Sequence, residues 1–272
     1  MLGSACHVSE YSFPTTVPVP GRARCGGRCG TVNVPGYLAR IRYTGPVNPS
    51  AETLRALHRA HLLAVPFENL DIHTGRPILL DEGAFYRKVV GERRGGFCYE
   101  LNGLFAWLLR ELGFRVTMLS AGVAREAGGF GPEFDHLTLR IELDEPFLAD
   151  VGFGECFRDP IPLLPGGNNG YRLQEESGRW TLFRGDAPQY RFTLQAHALA
   201  DFAGMCTYHQ TSPESSFTCE RITTLATPSG RITLSGNRLI RTEGDMRIVE
   251  VLEDEACREI LEREFGIRLE RY

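Results

Sequence analysis

Long hydrophobic runs are missing from this chain of 272 residues. No apolar stretch approaches the roughly 20 residues that a membrane-spanning helix needs, and no basic segment followed by an apolar one opens the sequence as in a secretory signal. A charge excess is also missing: 30 basic and 34 acidic side chains give a net charge of −4. That balance offers no general attraction to nucleic acid or anionic membranes. We therefore expect a cytoplasmic protein without nucleic-acid or membrane partners; its oligomeric state is not indicated.

Glycine-rich nucleotide loops and a zinc motif are absent as well. Neither a P-loop nor a dinucleotide fingerprint occurs, so any nucleotide-containing partner must be recognised by other surface contacts. Eight cysteines are present, but only Cys25 and Cys29 are closely spaced, and no second pair completes a four-ligand site. We expect no bound metal, and we expect reduced thiols in a chain that carries no signal.

The hydrophobic period changes along the chain and predicts an α+β fold. Helical spacing predicts helices over 51–65, with Ser50 as cap, over 81–90, with Asp81 as cap, and over 98–112. After Gly113 the pattern alternates as in strands, the first of them over 115–123. A glycine- and asparagine-rich stretch at 166–170 predicts a loop, and Asp254 predicts the cap of a final helix that ends at Phe265. The predicted units are a disordered extension (1–34), a helical bundle carrying the nucleophile (35–113), an antiparallel β-barrel (114–200), a connecting segment (201–220) and an α/β lid (221–272). For the block 114–200 the alternating pattern also fits a sandwich, and of the two we predict the barrel.

The stretch 94–105, RGGFCYELNGLF, places Cys98 directly after a glycine pair and at the start of an apolar helical pattern. A thiol in the first turn of a helix feels the positive end of the peptide dipoles and free N–H groups, which favour the thiolate. The thiolate is the nucleophilic form, so the position suits covalent catalysis. The alternative is a small apolar side chain packed under a turn.

A nucleophilic cysteine needs a base and a group that orients the base. Among the seven histidines, only His136 opens a predicted strand, and the next strand ends at Asp150, followed by glycines. A hairpin would bring Asp150 back beside His136, although a register slip of one residue would turn its side chain to the other face. Cys98, His136 and Asp150 are therefore the candidate nucleophile, base and orienting acid.

The motif around Cys98 resembles the active-site motif of the arylamine N-acetyltransferases. The segments 65–70, VPFENL, 150–154, DVGFG, and 207–217, TYHQTSPESSF, resemble further motifs of that family in the same order. The resemblance covers about residues 34–272. It implies a transglutaminase-like, cysteine-proteinase-like fold with a helical bundle, a β-barrel and an α/β lid, and it matches Cys98, His136 and Asp150 to the family's triad.

The same resemblance implies acetyl-CoA as the acyl donor, and an arylamine, arylhydrazine or hydrazide as the acceptor, in a double displacement through an acetyl-cysteine. Gly152, Gly154, Ser216 and Phe217 match positions near the cofactor, and Phe67 and Phe153 match positions that line the acceptor pocket. Core packing remains an alternative for both phenylalanines. Arg94, Glu100 and Asn102 are expected to support the catalytic turn, as a charge pair and an amide.

Asp135 departs from the family pattern, which often has Thr or Ser before the histidine, and this puts local cofactor contacts in doubt. Three other functions remain open. One is an amide synthase of the same fold that joins another acyl chain to an arylamine, and the second is a transglutaminase-like cysteine hydrolase. The third, suggested by the eight cysteines, is a non-enzymatic thiol or metal-binding protein.

Overall fold

The computed structural model of the chain describes residues 32–155, 157–168 and 170–269. All but the last three residues of the predicted extension, 1–34, lie outside this part, and so do Cys25 and Cys29. The unit boundaries given above therefore stay predictions, while the elements within the described ranges can be compared directly.

Helices dominate the first third of the described chain and return around residue 200 and near the C-terminus. Their bounds are α1 (Val34–Arg40), α2 (Ala51–Ala64), α3 (Leu70–Thr74), α4 (Glu82–Tyr86), α5 (Cys98–Glu111), α6 (Ala203–Thr211), α7 (Ser216–Cys219) and α8 (Asp254–Phe265). A π-helical turn, Arg87–Gly91, continues α4, and a 3-10 turn, Leu199–Phe202, leads into α6.

Two predicted caps and one glycine account for ends of three of these helices, α2, α4 and α8. Ser50 Oγ accepts from the backbone N–H of Thr53 at 3.1 Å, and Asp81 Oδ1 accepts from that of Ala84 at 2.8 Å. Such bonds satisfy N–H groups that have no partner within the helix. Gly266 ends α8 in the left-handed region at φ 67°, where glycine meets no steric cost. The predicted starts of α2 and α4 and the predicted end of α8 are confirmed. The prediction of Asp254 as the cap of α8 is wrong, because Asp254 is already the first residue of the helix and Glu253 occupies the N-cap position.

In the described ranges the strands form two antiparallel sheets. Their bounds are β1 (Phe67–Glu68), β2 (Arg115–Val123), β3 (His136–Glu142), β4 (Phe147–Ala149), β5 (Ile161–Pro162), β6 (Gly166–Asn168), β7 (Tyr171–Glu176), β8 (Arg179–Arg184), β9 (Ala187–Phe192), β10 (Ile222–Ala226), β11 (Gly230–Ser235), β12 (Arg238–Glu243) and β13 (Met246–Val251). The eight-stranded sheet has the order β5-β4-β3-β2-β9-β8-β7-β6, and the five-stranded sheet has the order β1-β10-β11-β12-β13. Helices followed by antiparallel sheets confirm the predicted α+β class.

The larger sheet matches the alternating pattern closely but corrects one prediction. Strand β2 covers the predicted 115–123, whereas the predicted loop at 166–170 is wrong because Gly166–Asn168 pairs with Tyr171–Leu173 as a short strand. The pairing is made by backbone groups, so a sequence of glycine and asparagine, which is depleted in strands, gives no signal for it.

The smaller sheet includes a strand from the N-terminal part of the chain. In β1, Phe67 pairs with Thr224 of β10 and also bridges to Gly96, just before α5. The chain that leads to Cys98 is therefore tied to the C-terminal sheet. Helix α5 also packs on β2 and β3, and its residues Leu101, Leu104 and Phe105 are fully buried in the main hydrophobic core. The first turn of α5 is therefore held by the smaller sheet through β1 and by the larger sheet through β2 and β3.

Candidate active site

Cys98 is the first residue of α5, and close packing fixes the turn that precedes it. A Cβ on Gly95 would lie 2.0 Å from the carbonyl oxygen of Pro66, so only glycine allows this approach of the two backbones. Within the helix, Glu100 Oε2 accepts from the backbone N–H of Phe97 at 3.1 Å, the returning bond of a capping box. The thiol is thereby held at the N-terminus of the helix, and Cys98 is 3% exposed.

Five buried charges lie beneath this turn. Lys88 Nζ is 3.0 Å from Glu100 Oε1 and 2.9 Å from Asp71 Oδ2, while Arg94 Nη2 is 2.8 Å from Glu68 Oε1 and 2.9 Å from Asp71 Oδ1. The expected charge pair of Arg94 with Glu100 is wrong, because Glu100 is paired with Lys88. Lys88, Glu68 and Asp71, which come from three separate elements, carry no signal for this cluster in the sequence.

Two cations face three carboxylates in this cluster, so one negative charge is left over when all five groups are ionised. Burial raises the pKa of Glu100 to about 7, although Lys88 lowers it in part. Burial alone would lower the pKa of Lys88, but the attraction of Glu100, Glu68 and Asp71 outweighs it, and that pKa is raised. Glu100 is therefore the member of the cluster that titrates near neutrality.

His136 and Asp150 meet across the hairpin of β3 and β4. The register pairs Leu139 with Ala149, so one further step places Asp150 opposite Thr138, on the face that His136 shares. His136 Nε2 is 2.7 Å from Asp150 Oδ2. Burial raises the pKa of Asp150, but the charge of His136 and the hydrogen bonds to the carboxylate lower it by a larger amount. The net effect is a lowered pKa. The carboxylate is therefore held ionised next to the imidazole.

Asn102 joins the helix of Cys98 to this pair. Its Nδ2 donates to Asp150 Oδ1 at 2.8 Å and to the carbonyl oxygen of Leu137 at 2.6 Å, and its Oδ1 accepts from the backbone N–H of Val151 at 2.9 Å. This one side chain holds both strands of the hairpin against α5, which is how the amide supports the site.

The thiol of Cys98 is not ionised by its surroundings alone. Burial raises its pKa well above the usual value, and a hydrogen bond with the backbone of Leu137 lowers it in part. A thiol in such a place needs a proton acceptor before it can act as a nucleophile.

A cavity of about 470 Å³ brings the predicted residues together. It is lined by Cys98 and His136, and Asp150 lies fully buried behind the imidazole. The predicted cofactor and acceptor residues that also line it are Phe67, Gly152, Phe153, Gly154, Ser216 and Phe217. Two cavities of 780 and 750 Å³ contain none of these residues, so volume alone does not indicate the site.

Aromatic rings form much of the cavity wall. The ring of Phe153 meets that of His136 edge to face, with centroids 5.1 Å apart, and the rings of Phe67 and Phe217 lie 6.1 Å apart. Phe153 is also in contact with Tyr190, at 5.1 Å. Such walls present flat apolar surface to a small aromatic molecule.

Gly152 has a packing reason to be glycine. A Cβ there would lie 2.9 Å from both Cα and the carbonyl oxygen of Cys98, and 2.8 Å from Asn102 Nδ2. Gly154 has φ +84°, with the nearest atoms of Phe67 at 3.6 Å from a Cβ. The missing side chain of Gly152 is therefore required by the nucleophile's own backbone.

A second histidine–carboxylate pair in the cavity wall was missed from the sequence. His209 Nε2 on α6 is 3.2 Å from Asp135 Oδ1, and His209 Nδ1 is 3.1 Å from Ser215 Oγ. Asp135 Oδ2 also accepts from the backbone N–H of Val123 at 3.1 Å. Asp135 departs from the family pattern at the position before His136, but nothing in the sequence signals that His209, 74 residues later, would reach it.

Within the residues that the structure describes, no set of three or more His, Cys, Asp or Glu side chains is arranged to hold a metal ion. No helix in the same ranges combines the length and the apolar character needed to cross a membrane.

The family model described as N-acetyltransferase matches residues 50–272. The pineal gland isozyme NAT-3 of arylamine N-acetyltransferase from Gallus gallus is 35% identical, over 86% of this chain and 94% of its own. Human arylamine N-acetyltransferase 1 is 32% identical, over 88% of this chain and 96% of its own.

Solved structures show the same likeness. The arylamine N-acetyltransferase of Mycobacterium marinum superposes with a TM-score of 0.81 at 32% identity, over 86% of this chain and 93% of that one. The enzyme from Salmonella typhimurium gives a TM-score of 0.82 at 32% identity, over 86% and 90%. The M. marinum protein has also been solved in complex with CoA, and that structure superposes with a TM-score of 0.80.

The match to the family model over residues 50–272 and the likeness in fold thus define an N-acetyltransferase, and the predicted fold class is confirmed. The chain belongs to the arylamine N-acetyltransferase family.

Proposed function

We propose that this protein transfers the acetyl group of acetyl-CoA to an arylamine, arylhydrazine or hydrazide through an acetyl-cysteine at Cys98. The observation that carries the proposal is the 2.7 Å contact between His136 Nε2 and Asp150 Oδ2 at a cavity that Cys98 also lines. Family membership supports the choice of substrates, and the CoA complex of the M. marinum relative supports the donor.

Because Nε2 of His136 is engaged by Asp150, the nitrogen left to exchange a proton with the Cys98 thiol is Nδ1. Because burial raises the pKa of the thiol, the sulfur becomes a thiolate only when its proton passes to the imidazole. The imidazolium is stabilised by the Asp150 carboxylate, whose own pKa is lowered.

In the first half-reaction, the Cys98 sulfur attacks the thioester carbonyl carbon, and the C–S bond to CoA breaks. The CoA sulfur leaves with the proton from His136, and the acetyl group stays on Cys98. In the second, the acceptor nitrogen attacks the same carbonyl carbon and gives its proton to His136. The bond to Cys98 then breaks, the amide leaves, and the thiolate is restored.

The six residues around the triad divide into two proposed groups. Gly152, Gly154, Ser216 and Phe217 are assigned to the donor, and Phe67 and Phe153 to the acceptor, whose flat ring would lie against theirs. No resident metal is required, and the cytoplasm, which supplies acetyl-CoA and keeps thiols reduced, is the proposed location.

The test is the intact mass of the protein after incubation with acetyl-CoA alone. A gain of one acetyl group that Cys98→Ala abolishes, and that aniline or phenylhydrazine then removes as the amide, supports the proposal. Cys257→Ala is the matched control, because Cys257 is equally buried but lies in the separate core of α8; it should gain the acetyl group normally.

Other results would assign other chemistry. An acetyl group that water removes as fast as amines do indicates a cysteine hydrolase. Labelling by longer acyl thioesters and not by acetyl-CoA indicates an amide synthase. Acetylation that persists in Cys98→Ala contradicts the proposed nucleophile.

A further inference from the structure

His58 of α2 lies fully buried directly behind the acid of the triad. Its ring stacks on Phe157 with centroids 5.7 Å apart and planes 7° apart, and it meets Phe105 edge to face at 6.0 Å. Nε2 of His58 is 3.1 Å from the backbone nitrogen of Asp150 and 3.0 Å from its carbonyl oxygen. Nδ1 is 2.9 Å from the carbonyl oxygen of Arg158. None of these contacts is used in the acetyl-transfer steps above.

The contact fills a gap in the sheet. The ladder between β3 and β4 ends at the pair Leu139 and Ala149, so Asp150 is one residue beyond the last paired position. A buried backbone N–H without a partner is costly, and buried groups of this kind are nearly always paired. His58 supplies the partner that the strand no longer provides.

The partners also define the protonation of the ring. Burial lowers the pKa of His58, although the Arg158 carbonyl and Asp150 oppose this in part. A neutral ring carries one proton, and the Arg158 oxygen can only accept while the Asp150 N–H can only donate. The tautomer with the proton on Nδ1 donates to the Arg158 oxygen and leaves Nε2 to accept from the Asp150 N–H. The Asp150 carbonyl oxygen, 3.0 Å from the same nitrogen, then receives no proton from the ring.

The side chain and the backbone of Asp150 are thus held by different groups. The carboxylate is fixed by His136, by Asn102 and by the backbone N–H of Gly152, at 2.7, 2.8 and 3.0 Å. The backbone from which it projects is fixed by His58. The direction of a carboxylate depends on the position of its own Cα. A displaced backbone would therefore misdirect the imidazole, and small displacements of this kind are costly in catalysis.

We infer that His58 is a positioning residue of the proposed catalytic triad: it accepts the backbone N–H of Asp150 and so sets the direction in which the carboxylate meets His136. This role rests on the proposed acetyl transfer through Cys98. Within that reaction, His58 touches neither donor nor acceptor, and it acts through Asp150 alone.

The test compares His58→Leu with His61→Leu. His61 is one turn along the same helix and equally buried, also packs on Phe105, at 5.6 Å, and has the hydroxyl of Tyr37 at 2.7 Å from its Nδ1. Both variants lose a buried imidazole of α2, so both should unfold at a lower temperature. We expect only His58→Leu to lower kcat, by on the order of 10- to 100-fold, with the acceptor KM changed less than about threefold.

A readout independent of turnover is the rate at which iodoacetamide alkylates Cys98 as a function of pH. In His58→Leu the midpoint of this profile should move to higher pH, because a misdirected carboxylate stabilises the imidazolium–thiolate pair less well. In His61→Leu the midpoint should match the wild type. His58→Gln, whose Oε1 can accept from the Asp150 N–H, should recover much of the lost kcat and of the profile.

Equal kcat and equal alkylation profiles in the two leucine variants would overturn the role of His58. If His58→Leu does not fold, His58→Gln against His61→Gln decides: a displaced profile in the first alone supports the role, and matching profiles contradict it. Failure of wild-type Cys98 to gain an acetyl group would instead refute the proposed function, so the two failures are distinguishable.

Discussion

Asn102 Nδ2 lies 2.8 Å from Asp150 Oδ1, and this bond joins the helix of the proposed nucleophile to the acid of the proposed triad. Asn102 is one turn after Cys98 on α5. A shift of α5 against the β3–β4 hairpin would therefore break the bond, so the amide couples the position of the thiol to that of the imidazole.

We predict that Asn102→Ala lowers kcat by roughly tenfold or more and lowers the free energy of unfolding by about 1–3 kcal/mol. The variant leaves the carbonyl of Leu137 and the N–H of Val151 without their buried partner, and such losses have this size. Gln210→Ala is the control, since that amide also binds backbone groups, those of Ile78, but lies outside the cavity. Steady-state kinetics and urea denaturation measure both. Equal effects of the two variants on kcat would contradict the coupling.

How far the sequence predicts this site depends on the distance over which each signal acts. The helix start at Cys98 and strand β2 follow from local periodicity, and both are found as predicted. The proximity of His136 and Asp150 follows from one hairpin. That both side chains lie on the same face of the sheet, however, is given only by the observed register. Lys88 could not be anticipated, because a lysine in a helical pattern is normally solvated. Only the packing of three elements reveals its carboxylate partners.

The titration of Glu100 predicts a pH dependence of stability. Its pKa is raised by burial to about 7 in the folded state, from the ordinary 4.5. The folded protein therefore binds the proton more tightly than the unfolded chain, and the stabilisation is fully present below pH 4.5 and lost as the pH rises through about 7. One pKa unit is worth about 1.4 kcal/mol, so the loss is on the order of 3 kcal/mol.

Glu100→Gln isolates this contribution. The single oxygen of Gln can take the position of Oε2, which lies 3.1 Å from both Lys88 Nζ and the backbone nitrogen of Phe97. The substitution leaves two cations facing Glu68 and Asp71. We expect the difference in unfolding free energy between variant and wild type to move in favour of the variant as the pH rises from about 5 to 8. The buried His58 and His61, whose pKa values are lowered by burial, act in the opposite direction in both proteins and cancel. A difference that is flat with pH would show that Glu100 does not titrate in this range.

Asp135 places a carboxylate in the wall of a cavity that three phenylalanines also line. Asp135→Asn removes the charge and keeps one oxygen, which can accept from the N–H of Val123, while its amide nitrogen takes the position of the oxygen that faces His209 Nε2. Removing a negative charge from a site of low polarity favours anionic ligands, so we predict that kcat/KM for 4-aminobenzoate rises by about 3- to 10-fold. Aniline, which is uncharged, should change less than about twofold. A panel of acceptors at fixed acetyl-CoA measures this, and a uniform change for all acceptors would mean that the residue serves only the fold.

Gly152 offers the sharpest steric test of the site. A methyl group there would lie within 2.9 Å of the backbone of Cys98 and within 2.8 Å of Asn102, so the hairpin must move away from α5 to admit it. We predict that Gly152→Ala lowers kcat at least tenfold and costs about 1–3 kcal/mol of stability, as overpacking does. Gly204→Ala is the matched control: that glycine lies exposed in α6 with open space around it, and alanine there should raise stability by about 0.5–1 kcal/mol. Denaturation and turnover measured on both variants separate the two cases. If Gly152→Ala kept wild-type turnover, the close contact between the hairpin and the nucleophile would not be needed for catalysis, since the displaced hairpin would still place His136 correctly.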